Sequence, residues 1–200
     1  MKKFFVTMLA AMIFYAPTVF AEDEIEVPEE IFTWIQSTPR GNYYFNHQQI
    51  NYAVDDGIIN LNILIVPTLC TYDEIQIDDV KQKRRWRSQS MKGYDDLIGR
   101  ADYLQFDLVN ATVQITERVD LDSTFTALDS DFSGQPIELA NLSPQDVSCK
   151  FYRAILSWAK DHNEMLIKKS RGKLSEEDSK LSPEDMPLMK FDFPSNSTEE

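Results

Sequence analysis

The segment from Ile58 to Val66 constrains the fold of this chain more than any other. Ile59, Leu61, Ile63 and Ile65 alternate with Asn60, Asn62 and Leu64. That two-residue period is the mark of a strand, half-buried at its start and fully buried where Leu64 interrupts the polar series. Pro67 is expected to end it, because proline cannot donate to a ladder. Upstream, Asn42-Tyr43-Tyr44-Phe45 reads as an aromatic strand after a Pro39-Arg40-Gly41 turn, and Ile50 to Val54 as a second. Asp55-Asp56-Gly57 between that strand and the next is a hairpin signal, since Asp-Gly supplies the positive φ angles of such turns.

From Thr71 to Arg100 the pattern weakens: Ile75 and Ile77 alternate with polar residues, a basic run follows, and Tyr94 to Arg100 has room for one or two helical turns. A long excursion is expected there. Leu104, Phe106 and Leu108 then share a strand face, and the phase shifts after Asn110 so that Val113, Ile115, Val119 and Leu121 share one, which marks a turn or bulge. Thr124 to Leu128 reads as a short last strand. Ser143 can cap a helix, Pro144 suits its first position, and Cys149, Tyr152, Ile155, Leu156 and Ala159 recur at helical spacing up to the stop at Gly172. The pattern predicts one α+β domain over residues 32–172, a small antiparallel β-sheet with a long C-terminal helix of roughly seven turns.

The ends differ from this middle. Lys2 and Lys3, the apolar run Phe4 to Ala16 and Val19-Phe20-Ala21 have the layout of a secretory signal peptide over residues 1–21. Residues 22–31 read as an acidic, solvated N-terminal arm, and 173–200 as an acidic mobile tail. The tail's apolar residues Met186, Leu188, Met189, Phe191 and Phe193 suit either a latch on the domain or a partner-binding segment. Export implies a secreted or periplasmic bacterial protein, with the cell surface as one destination, and no transmembrane segment after cleavage. In an oxidising compartment Cys70 and Cys149 are expected to pair, closing a loop whose chain-entropy gain is about 4 to 5 kcal/mol.

With 33 acidic against 20 basic residues, the formal charge of −13 disfavours general binding to nucleic acid or anionic membrane. Against that background Lys81, Lys83, Arg84, Arg85 and Arg87 cluster around Trp86. Guanidinium forks grip sulfate, phosphate or carboxylate, and an indole stacks on a sugar or another guanidinium, so the cluster is the candidate binding site. The competing expectation is a solvated face neutralised by Asp73, Glu74, Asp78 and Asp79. No signature of chemistry accompanies it. His47 and His162 are the only histidines, no zinc spacing or phosphate-cradling glycine loop occurs, and the acids from Asp120 to Asp131 lack the glycine and glutamate of a calcium loop. No cofactor, no metal site and no enzymatic activity are expected.

Phe32-Thr33-Trp34-Ile35 followed by Gly41-Asn42-Tyr43-Tyr44-Phe45-Asn46 resembles the surface-adhesin E family of exported bacterial proteins, and the resemblance extends through Asp56-Gly57 and the Tyr103 to Asp122 strands to Leu142-Ser143-Pro144. It implies a small antiparallel sheet with a C-terminal helix in a surface domain that holds host proteins. The long basic excursion and the missing cysteine at the cleavage site depart from that family. The expected function is an exported, non-enzymatic binding module, adhesin-like, that contacts host protein or an anionic glycan. The alternative is a periplasmic envelope assembly protein that grips a protein partner through its helix, a sheet edge or its C-terminal segment.

Overall fold

The computed structural model describes residues 25–194 except residue 133. The expected signal segment 1–21, the first three residues of the arm and the last six of the tail lie outside them. The described residues build one eight-stranded antiparallel sheet. Its strands are β1 (Phe32–Thr38), β2 (Gly41–Asn46), β3 (Asn51–Asp55), β4 (Ile58–Tyr72), β5 (Leu97–Asp107), β6 (Thr112–Asp122), β7 (Ala127–Phe132) and β8 (Ile137–Glu138). The order across it is β1-β2-β4-β5-β6-β7, with β3 also paired to β4 and β8 to β6. A small sheet with one long C-terminal helix is therefore not what forms. The sheet is large and the helices are short.

Strand β4 is the reason the sheet is large. It runs for fifteen residues and does not stop at Pro67. One side pairs with β5 from Ile63 to Thr71. The other is shared by β3, which ends opposite Ile65, and β2, which begins opposite Thr68. Pro67 stands between them, with no strand residue opposite on that side, so no ladder bond is asked of it there. The β3–β4 hairpin closes through Asp56 and Gly57, both at positive φ, 50° and 80°, as its sequence requires.

The expected long excursion contains a helix, α1 (Glu74–Trp86), in the β4–β5 connection. Asp73 caps it, its carboxylate accepting from the Gln76 N–H at 2.7 Å, and Lys83, Arg84 and Arg85 suit its C-terminal end. The single long helix expected after Ser143 is two: α2 (Val147–Asp161) and α3 (Asn163–Lys169). The break is at His162, whose φ of −117° and ψ of 15° leave the helical region. Its ring stacks on Trp158 at 4.0 Å, and next to it the buried Asn163 accepts a hydrogen bond from the Tyr52 hydroxyl at 2.6 Å. These contacts turn the chain. None of the described helices is long and apolar enough to cross a membrane.

The main core lies between one sheet face and α2–α3. Phe45, Tyr52, Leu64, Val66 and Phe106 from the sheet, with Ile50 from the β2–β3 connection, meet Tyr152, Ile155, Ala159 and Leu166. Phe45 sits edge-on to Trp158, and Phe106 edge-on to Tyr152. On the opposite face a smaller cluster of Leu69, Ile98, Val119 and Leu121 is covered by Ile25 and Val27, so the arm expected to be solvated packs in part.

Residues 173–194 are not a freely mobile tail but take the latch alternative, folding back on the domain. Lys173 pairs its backbone with Gly57 and Ile59, and the chain then returns to the core through a one-turn helix, α4 (Pro187–Lys190). Leu188 is fully buried, Phe191 is nearly so, and the Phe191 carbonyl accepts a hydrogen bond from Lys160. Phe193 lies under the Arg153 guanidinium. Leu188→Ala should therefore cost about 2 to 5 kcal/mol in denaturant unfolding. A loss below about 0.5 kcal/mol would mean the segment contributes nothing to the core.

Candidate functional site

Helix α1 divides the basic cluster. Its inner side carries Gln76, Val80, Lys83 and Arg84 toward the sheet, with Arg87 just past its end, while Lys81, Arg85 and Trp86 are absent from that lining. Trp86 is 81 % exposed. Arg84 is buried and structural. Its Nε and Nη2 donate to the Ser90 carbonyl at 3.1 and 3.0 Å, Nη2 reaches the Asp129 carboxylate at 2.8 Å, and the guanidinium lies 3.9 Å from the Tyr94 ring centre. Asp120, 3.8 Å from Arg84, also accepts from the Tyr94 hydroxyl at 2.7 Å. Burial and then this hydrogen bond push the Tyr94 phenol above its usual range. Arg84 thus ties α1 to β6 and β7.

Lys83 pairs with Asp79 one turn earlier, and Asp73 is taken by its cap and by Arg40. Lys81, Arg85 and Arg87 have no ion-pair partner among the described residues. The ion pair shown between the run and an upstream acid is the one from Lys83 to Asp79.

Beneath α1 lies a cleft of about 490 Å³ whose floor is the sheet. The face that holds Phe106 and Leu104 continues along β5 to Asp102 and Arg100, with Arg118 and Asp120 beside them on β6 and Cys70 and Tyr72 on β4. Asp102 is 9 % exposed and serves two cations. Arg118 grips it with Nε at 2.7 Å and Nη2 at 3.2 Å, and Arg100 donates through Nε at 3.1 Å. Burial alone would pull the Arg100 guanidinium down, but Asp102, then Tyr72 and Cys70, outweigh it and hold the cation above its usual value. Sequence reading missed Arg100, Arg118, Asp102 and Tyr72. Carrying the alternation of Leu104, Phe106 and Leu108 backward would have found two of them, because it places Asp102 and Arg100 on the same face.

Cys70 and Cys149 are not joined; both are free, buried thiols. The α2 residues that face Cys70 across a cavity of about 170 Å³ are Ser148, Phe151 and Tyr152, and Cys149 does not line it. Burial pushes the Cys70 thiol up from 9.0 to about 11. His47 and His162 both flank Trp158, far from the cleft in the fold, and neither lines it. Among the described residues no group of three or more histidine, cysteine, aspartate or glutamate side chains could hold a metal ion. Comparison with protein-family models, curated proteins and solved structures finds no match to this chain.

Three outcomes follow from this geometry. Asp102→Asn leaves two guanidinium groups on the sheet without their carboxylate and should destabilise the fold by about 3 to 5 kcal/mol; an unchanged denaturation midpoint would show that solvent already compensates them. Thiol titration should find two free cysteines after unfolding without reductant and none in the native protein at pH 8. A raised folded value means that the neutral Cys70 thiol contributes stability below pH 9.0, lost as pH rises through about 11. Unfolding free energy should fall across that window, and a flat profile would contradict the burial.

Proposed function

We propose that this chain is an exported, non-enzymatic binding module that contacts an anionic partner through the exposed side and C-terminal end of α1. The observation that carries the reading is the placement of Trp86, 81 % exposed, beside Lys81 and Arg85, neither of which is ion-paired among the described residues. In a chain of formal charge −13, cations without internal partners form a local potential of opposite sign, which draws a negative surface. An exposed indole among them adds a flat apolar platform for a sugar ring or a guanidinium.

The partner is a sulfated or carboxylated glycan or an acidic protein surface, and the setting is the periplasm, the cell surface or the medium. The adhesin-like resemblance belongs to this same reading. Arg84 is not among the contacting residues, because Asp120, Asp129 and Ser90 hold it. The helix end is fixed to the sheet through that residue, so the surface cations are presented on a rigid element at little ordering cost.

Binding to immobilised heparin, measured across a salt series, tests the reading. The natural sequence should be retained at low salt, with affinity falling as salt rises. The triple variant K81Q/R85Q/W86A should lose about tenfold or more and show a shallower salt slope. Retention of the variant equal to that of the natural sequence at every salt concentration would exclude this face.

A further inference from the structure

The cleft beneath α1 is built from groups that the exposed face of the helix does not use. Four guanidinium groups line it, those of Arg84, Arg87, Arg100 and Arg118. Arg84 is consumed by Asp120, Asp129 and Ser90. Arg118 commits Nε and Nη2 to Asp102, and its Nη1 makes no hydrogen bond within the described residues. Arg100 spends Nε on the same carboxylate. The Arg87 side chain has no hydrogen bond or ion pair among the described residues, although it lines the cleft. Two guanidinium groups thus share one carboxylate, and a third brings an unmatched charge to the same space.

An entering carboxylate would meet planar forks with donors to spare, the geometry in which arginine recognises carboxylates best. The remaining lining limits what carries it. Small-ligand pockets are usually mostly apolar, whereas here the neutral surface is Tyr72, Gln76, Gln89 and Ser130, with Val80 the one aliphatic side chain. Polar lining of this kind suits hydroxyl groups. At the mouth Asp129 and Asp131 are exposed carboxylates. They oppose a second negative charge on the ligand, which disfavours a polyanion lying along the cleft.

We infer that this cleft is a binding site for a single carboxylate on a hydroxyl-rich ligand, a sugar acid in chemical class, held by Arg87, Arg100 and Arg118, with Tyr72 and Gln76 meeting its hydroxyls. The site goes beyond the exposed-face reading and stands apart from it, since Lys81, Arg85 and Trp86 line no part of the cleft.

Titration of the isotopically labelled protein with glucuronate, followed by amide chemical shifts, tests it. Saturable shifts should be confined to the inner side of α1 and to β5–β7. Glucose, which lacks the carboxylate, and propionate, which lacks the hydroxyls, should each bind about tenfold more weakly or less. Arg118→Gln and Arg87→Gln should each weaken glucuronate binding about tenfold or more. Arg87 makes no hydrogen bond or ion pair through its side chain among the described residues, so its variant keeps the fold even if the Arg118 variant does not. K81Q/R85Q should leave glucuronate binding unchanged, which separates this site from the heparin-binding face. Absence of saturable shifts, equal binding by Arg87→Gln, or loss of binding in K81Q/R85Q would each overturn the assignment.

Discussion

Everything distinctive about this molecule follows from a strand longer than the helices that cover it. Strand β4, at fifteen residues, spans about 50 Å. Helices α2 and α3, fifteen and seven residues long and broken at His162, reach at most about 33 Å. They start near Cys70 and end near β3, where Ser170 donates to the Leu166 carbonyl and accepts from the Tyr52 N–H. The end of the sheet around Tyr72 is left beyond them. Apolar residues there would face water, and the sequence places Arg100, Asp102, Arg118 and Asp120 on that stretch instead.

Uncovered charge on a sheet has its own requirement. Buried ions are costly unless paired, and breaking one partner costs more than the pair contributes. The protein meets this with α1, tethered by Arg84 to β6 and β7, and with a single carboxylate, Asp102, between Arg100 and Arg118. The helix therefore has two roles at once. Its inner side closes a polar cleft over the sheet, and its outer side presents Lys81, Arg85 and Trp86 to solvent. The same residues that stabilise the uncovered end leave guanidinium donors directed at a walled space.

Legibility in the sequence tracked how far each element depends on apolar periodicity. Ile59, Leu61 and Ile63 announced their strand, Asp55-Asp56-Gly57 its turn, and Leu104 and Phe106 theirs, because each rests on local pattern or turn chemistry. Helix α1 was hidden since its only buried residue is Arg84 and its first isoleucine, Ile75, is 59 % exposed; a search for apolar spacing does not count an arginine as core. The break at His162 was hidden for a different reason. Nothing between Asp161 and Asn163 is a helix breaker, and the turn is imposed from outside by Tyr52 and by the stacking of His162 on Trp158. The pairing of the cysteines failed because compartment and count say nothing of direction, and Cys149 on α2 does not line the cavity that Cys70 faces. Of the site, the basic run was visible and its division into an inner and an outer side was not. That division exists only once the run is helical.

A crystal structure of the protein grown with glucuronate tests the central claim, that the end of the sheet left uncovered by α2 is a ligand site, most directly. The account predicts a bound ligand between α1 and β6, its carboxylate within hydrogen-bond distance of Arg118 Nη1 and the Arg87 guanidinium, with Arg118 still gripping Asp102. An empty cleft in crystals that bind glucuronate elsewhere, or one filled by the Arg87 side chain paired with Asp131, would contradict it.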